Sequence, residues 1–480
     1  MDNTNHYSIC DLLKIYRLKN ISPVEYLQNT IKNIENINPK LNAFISIDKK
    51  TYIKQAKLSE QNFFNKTERK LEGIPFGVKD VIDKQSEKTL NGCKSFLDSI
   101  IKKKDAAVVK HLIEEGAIYV GKLHTHELAI GAPTLNGMNK PSSNPWDLTK
   151  TAGGSSSGSG SAVGGFLVPF ALGTDSGGSI RNPASMCGIV GLKPTYNSLV
   201  MDGLQPLAKT IDNVEPMARS GRDLSLIYSV LKKQVKQDNK PIKNLKIGVI
   251  EHFYNNDFIA NDEVGALFEN AIKVFEKNGA LVSKVCVDNL KKFQSVNGII
   301  MAKEGYLQFK NLIEENKKII DEITFHRLKL GKTITNKQYQ ISIQNKKELS
   351  LKMNAVINNF DILITFTNLD LPFEIGNIKE IEKYYSMNAR SPFNVSGHPS
   401  ISIPCGLSKS GLPVGFQIVG SNNEDNLIAN IADEFMKKIN WNSIIYNNVY
   451  KKLYINSKCL NFFIKTFGAY FIVIATVNFF

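Results

Sequence analysis

Residues 151–196 read TAGGSSSGSGSAVGGFLVPFALGTDSGGSIRNPASMCGIVGLKPTY, two Gly/Ser-rich loops on either side of the apolar run Phe166–Leu172. A Gly/Ser tract alone is linker composition. These two abut buried-looking segments in mid-chain, which argues for loops held against a core. A phosphate cradle would need GxxxxGK[ST], and no lysine follows these glycines. The dinucleotide pattern GxGxxG fails because Gly158 and Gly160 are followed by Val163. Gly154-Ser155-Ser156-Ser157-Gly158 matches GxSxG, but that elbow needs a strand directly before it. Lys150–Gly153 reads as loop instead.

Outward from this stretch, helix and strand signals alternate. Ser22-Pro23-Val24-Glu25 is a capping box with proline at the first helical position. Val24, Leu27, Ile31 and Ile34 follow at helical spacing, and Pro39 is expected to end the helix. Residues 73–82 are apolar enough for a strand. Asp105 is expected to cap a helix with Val108, Val109, Leu112 and Ile113 inward, Gly116 to stop it, and Ala117–Val120 to form the next strand. The order recurs as strand Ile247–Ile250, helix Val264–Phe275, stop Gly279 and strand Leu281–Val285. Further strands are expected at Ile362–Phe366, Ile401–Ile403 and Val414–Val419, then a helix over Asn426–Phe435. The Lys-, Glu- and Asn-rich residues 303–355 read as exposed helices. There is no repeat and no clear linker. The pattern predicts an α/β protein with a largely parallel sheet.

Several motifs together resemble the amidase signature family. They are Gly153-Gly154-Ser155-Ser156, Gly173-Thr174-Asp175-Ser176-Gly177-Gly178-Ser179-Ile180-Arg181, Gly77-Val78-Lys79-Asp80, Asn144-Pro145-Trp146 and Cys187–Thr195. Pro392-Phe393-Asn394, Gly397-His398-Pro399 and Gly411–Gly415 also match, so the resemblance spans roughly residues 8–440. It implies the amidase-signature fold: one large α/β domain over 1–441, with a mixed, largely parallel β-sheet flanked by helices. A helical segment over 1–70 is expected to pack on that domain, with 442–480 an apolar tail.

The resemblance also implies the chemistry. Ser179 would be the nucleophile, Ser155 the bridging serine and Lys79 the base, with a cis peptide bond entering Ser155. A serine hydroxyl attacks well only when a base takes its proton. No histidine lies in these loops, and a lysine can serve if desolvation lowers its pKa. Ser155 can accept one hydrogen bond and donate another, so it can relay the proton and later return it to the departing amine. Ser176, Gly177 and Gly178 are expected to form the oxyanion hole. Gly154, Ser156, Asp175 and Arg181 are expected to support the loops, the last two as an ion pair. Cys187 reads as a small buried residue. His124 and His126 fit either a pocket lining or satisfied or exposed histidines. Ser157 stands where the family commonly has glycine, and Ser400 where it has alanine.

The implied activity is hydrolysis of an amide to a carboxylate and ammonia or amine through a seryl acyl-enzyme, with no metal or organic cofactor. The alternative within the family is the glutaminase subunit of a tRNA-dependent amidotransferase, which passes ammonia to a partner subunit. That glutaminase carries an acidic residue where this chain has Met387, and Asn-Met-Asp-Glu-Phe where this chain has His124–Leu128. A stand-alone amidase is therefore the main expectation. A catalytically silent binding protein is a third reading, opposed by the intact trio.

The net charge of +15 invites a nucleic-acid reading, but the lysines are spread along the whole chain, so a small-molecule amide is the expected partner. The six cysteines form no CxxC pair, and the N-terminus lacks a signal-peptide profile. Both favour a cytoplasmic enzyme. Residues 460–480 come close to the apolar length of a membrane span, so membrane contact through them, like a homodimer, is an open expectation.

Overall fold

The computed structural model describes residues 5–48, 51–233, 240–315 and 319–455. Its strands are β1 (Pro75–Lys79), β2 (Ile118–Leu123), β3 (Phe170–Asp175), β4 (Val190–Lys193) and β5 (Asn213–Ala218). They continue as β6 (Lys246–Ile250), β7 (Leu281–Val285), β8 (Ile362–Phe366), β9 (Ser400–Leu407) and β10 (Pro413–Val419). All ten join one sheet in the order β2-β1-β3-β5-β4-β9-β10-β8-β6-β7. The α/β class and the mixed sheet are as expected. Parallel pairing is confined to the two flanks, β2-β1-β3 and β8-β6-β7, and the middle is antiparallel.

Helices cover both faces, which is why β1, β2 and β3 are buried along their whole length and read as continuous apolar runs. Phe76 of β1 stacks on Phe170 of β3 at 5.2 Å, tying together the two strands that end at the site. The Ser22–Glu25 capping box forms, but its helix runs through Pro39 to Leu41. The chain leaves it at Asn42, whose left-handed backbone still donates to Asn38 O. A proline in the last turn removes one bond without stopping the helix there. Asp105 does not cap: the helix starts at Ala107 behind Ala106, while Asp105 accepts from Gln85 N at 2.7 Å and pairs with Lys84.

The C-terminal part differs from expectation as well. Trp441 is fully buried, and its indole donates to Gly188 O at 2.8 Å beside Trp146, which donates to Cys187 O. Tyr446–Ile455 then forms a π-helical turn that buries Val449, Tyr450, Leu453 and Tyr454. The Tyr454 hydroxyl donates to Gly165 O at 2.8 Å. The body of the protein therefore extends past 441 to 455. The expected membrane contact at 460–480 falls outside the described residues, among which no helix is long and apolar enough to cross a membrane.

Candidate active site

Lys79 is the last residue of β1 and is fully buried. Its ammonium donates to Ser155 Oγ and to Thr174 Oγ1, both at 2.8 Å. Burial pulls its pKa from the ordinary 10.5 down to about 7, partly opposed by the carboxylates of Asp175, Asp212 and Glu215. Ser155 follows a cis peptide bond from Gly154, as expected. Its carbonyl accepts from His126 N at 3.0 Å. Ser156 holds this loop to the next. Its hydroxyl donates to Thr174 O and accepts from Thr174 N, and its N–H donates to Ser179 O at 3.2 Å. Gly173 allows that approach, because a Cβ there would stand 2.7 Å from Ser156 Oγ.

The second loop turns around Asp175 at the end of β3. Asp175 and Arg181 are both fully buried and paired through two 3.1 Å contacts. The same carboxylate accepts from Gly178 N at 2.5 Å and from Asn394 Nδ2 at 2.8 Å. Burial alone would raise its pKa, but Arg181 and these donors hold it well below the usual carboxylate range. Arg181 reaches on to Gln417 Oε1 at 2.7 Å and Asn394 Oδ1 at 2.6 Å. The expected ion pair is thus part of a network that fixes the Ser179 loop to β10 and to the short helix Ser391–Ser396. Of the three expected oxyanion donors, Gly178 arrives with its N–H engaged by Asp175. Its φ of +113° and its packing against Arg390, 2.4 Å from a built Cβ, require glycine. The carbonyls of Ser176 and Gly177 are held by Asn297 and Asn388, each at 2.9 Å.

Ser179 is partly exposed into a cavity of about 250 Å³ whose wall also carries Ser155, His126, Gly177, Arg327, Tyr385 and Arg390. The structure therefore brings Ser155 and Ser179 to one cavity, with Lys79 directly behind. Among the described residues no carboxylate lines it. Arg327 donates to Ile130 O at 2.8 Å and lies over the Tyr385 ring, while Arg390 donates to Thr367 O and Asn368 Oδ1. Among the described residues neither guanidinium has a carboxylate within ion-pair distance, so the cavity is cationic. A larger cavity, about 930 Å³, opens beside the buried Lys122–Asp80 pair and holds none of the trio. Volume does not decide the site; convergence of reactive groups does.

His124 pairs with Ser157 through Nδ1 and Oγ at 2.9 Å, and burial pulls its pKa down to about 4. The serine that replaces a glycine is thus accommodated by a histidine partner. Cys187 is buried and its thiol is pushed far up by burial, in keeping with a packing role. Thr174, Arg327, Tyr385 and Arg390 were not singled out in the sequence. Thr174 stands inside a quoted motif, whereas Arg327 and Tyr385 carry no local signal.

The Amidase family model matches residues 25–428. The glutamyl-tRNA(Gln) amidotransferase A subunit of Clostridium novyi is 30% identical over 482 residues, covering 91% of this chain and 98% of that one. The solved A subunit of the Thermotoga maritima glutamyl-tRNA(Gln) amidotransferase superposes with a TM-score of 0.76 at 29% identity, covering 91% and 96%. A solved bacterial aryl acylamidase gives 0.83 at 23% identity, covering 92% and 98%, which speaks for the fold alone. With the family model spanning most of its length and these folds superposing on its own, the chain belongs to the amidase family, the amidase signature enzymes.

Proposed function

We propose that this protein hydrolyses the carboxamide of a small anionic substrate through an acyl-enzyme on Ser179. The observation that carries this is the buried Lys79, with its pKa drawn to about 7, hydrogen-bonded to Ser155 in the wall of the cavity that Ser179 enters. Ser179 Oγ bonds to the carbonyl carbon while its proton passes through Ser155 to Lys79. The C–N bond then breaks as the same path returns a proton to nitrogen, and water later cleaves the ester. The N–H groups of Gly177 and Ser179, which find no acceptor among the described residues, would face the oxyanion. Arg327 and Arg390 would draw an anionic group.

Glutamine is the first substrate to test, with ammonia passed to a protein partner, because the curated relatives are A subunits of glutamyl-tRNA(Gln) amidotransferases, matched across nearly their whole length. The stand-alone amidase is favoured by a separate observation. Among the described residues the cavity has no carboxylate to hold an α-ammonium, and Met387 packs against the hydrophobic core. Ammonia release by the full chain from glutamine and from glutarate monoamide, each with Ser179→Ala as control, tests both. Turnover that survives Ser179→Ala overturns the proposal. A strong preference for glutarate monoamide selects the stand-alone enzyme.

A further inference from the structure

The reaction proposed above leaves one buried side chain in the cavity wall without a task. His126 is 2% exposed, yet neither ring nitrogen makes a well-formed hydrogen bond within the protein, the Gly131 backbone offering the ring no more than a weak one. An unmade hydrogen bond on a buried polar atom costs about 1–3 kcal/mol. Such groups persist in native structures where something outside the chain satisfies them. The two asparagines of the wall do not share this state. Asn182 is held by Gly154 O and Tyr384, and Asn388 by Gly177 O. Arg390 Nε is also unpartnered, but it can only donate.

The position of the ring is specific. It lies against Gly154, where an added Cβ would stand 2.1 Å from Cε1 and 2.4 and 2.5 Å from the two nitrogens. Its main-chain N–H holds the carbonyl of Ser155. The imidazole thus borders Gly154, the residue directly before the serine that returns the proton, and lines the same cavity as that serine. Burial first, then the charges of His124, Lys79 and Arg327, push its pKa well below 6.5, and the Gly131 backbone opposes this only weakly. At working pH the ring is neutral, with one N–H and one lone pair.

We infer that the His126 lone pair accepts an N–H of the scissile carboxamide and so selects primary amides over esters of the same acid. This rests on the acyl-enzyme reading. To be protonated, the leaving nitrogen must come within hydrogen-bond reach of Ser155 Oγ, which puts its N–H groups beside residue 126. An ester oxygen offers no such donor. The contact sits on the leaving group, so it serves acylation and not the water step that follows.

The test uses the full chain, the primary amide it turns over best, and the methyl ester of the same acid, such as glutarate monoamide and monomethyl glutarate. His126→Leu is expected to lower kcat/KM for the amide by about tenfold or more, with the ester within about threefold. His126→Gln, which restores an acceptor, is expected to recover part of the amide rate. Equal losses on amide and ester, or no recovery in His126→Gln, would overturn the inference. Absence of any Ser179-dependent turnover would remove the acyl-enzyme reading, and this inference with it.

Discussion

The pKa of Lys79 can be titrated through the rate. A lysine at 10.5 is neutral in about one molecule in 3,000 at pH 7. Drawn down to about 7, Lys79 is neutral in about half, and in about a tenth at pH 6. A base works only in its neutral form, so kcat/KM rises with pH. The expected rise is close to tenfold from pH 5 to 6, about fivefold from 6 to 7 and under twofold from 7 to 8. Stability carries the opposite mark of the same burial. The folded pKa lies below the unfolded one, so the full cost is present below pH 7, shrinks as pH rises toward 10.5 and vanishes above it. A depression of this size is worth about 5 kcal/mol. Lys79→Met also loses two hydrogen bonds at about 1 kcal/mol each. The variant should therefore be inactive, yet more stable than wild type by about 3 kcal/mol at pH 6, with the gain gone at pH 11. Ammonia release against pH and urea unfolding at the two pH values measure these effects. A log-linear rise in rate up to pH 9, or a Lys79→Met variant less stable at pH 6, refutes the reasoning.

Three further outcomes follow from the packing. Asp175→Asn leaves Arg181 as a buried cation without its carboxylate and should cost about 3–5 kcal/mol in urea unfolding. Gly154→Ala places a methyl 2.1 Å from His126 Cε1, so the ring and the Ser155 loop must shift; kcat/KM should fall about 100-fold while the protein stays folded by circular dichroism. A chain ended after residue 442 loses buried Val449, Tyr450, Leu453 and Tyr454, at about 1.5–3 kcal/mol each, and should melt well below one ended after Ile455.

What could be read in the sequence follows distance along the chain. Lys79, Ser155 and Ser179 were legible because each sits in a short contiguous motif that resembles the amidase signature; composition alone would not have singled out Lys79, the last residue of an apolar strand. Ile362–Phe366 was legible as a strand from its apolar run, and Leu281–Val285 from its place after a helix and the Gly279 stop. Pairing direction was not. β4, β5 and β10 are buried along their whole length and β9 along most of it, just as the parallel β1, β2 and β3 are, because helices cover both faces whatever the direction. Arg327 looked like one more cation in an exposed helix. Only the fold turns it onto Tyr385 and into the cavity. Pro39 misled because a proline breaks a helix only when enough turns remain to be broken.

The network around Arg181 also has a bearing on how the protein is made. Arg181 bonds to Asn394 and Gln417 across 213 and 236 residues of sequence, and Thr195 bonds to Asp425 across 230. A ribosome adding about 5–20 residues per second needs about 10–50 s to travel from Arg181 to Gln417. Through that interval the Ser179 loop has been synthesised, but the groups that fix its shape have not. The loop therefore lacks its fixed shape until the last third of the chain emerges. During that wait the exposed β3 edge, whose antiparallel neighbour β5 is only 38 residues on, depends on early local pairing to keep it from other chains.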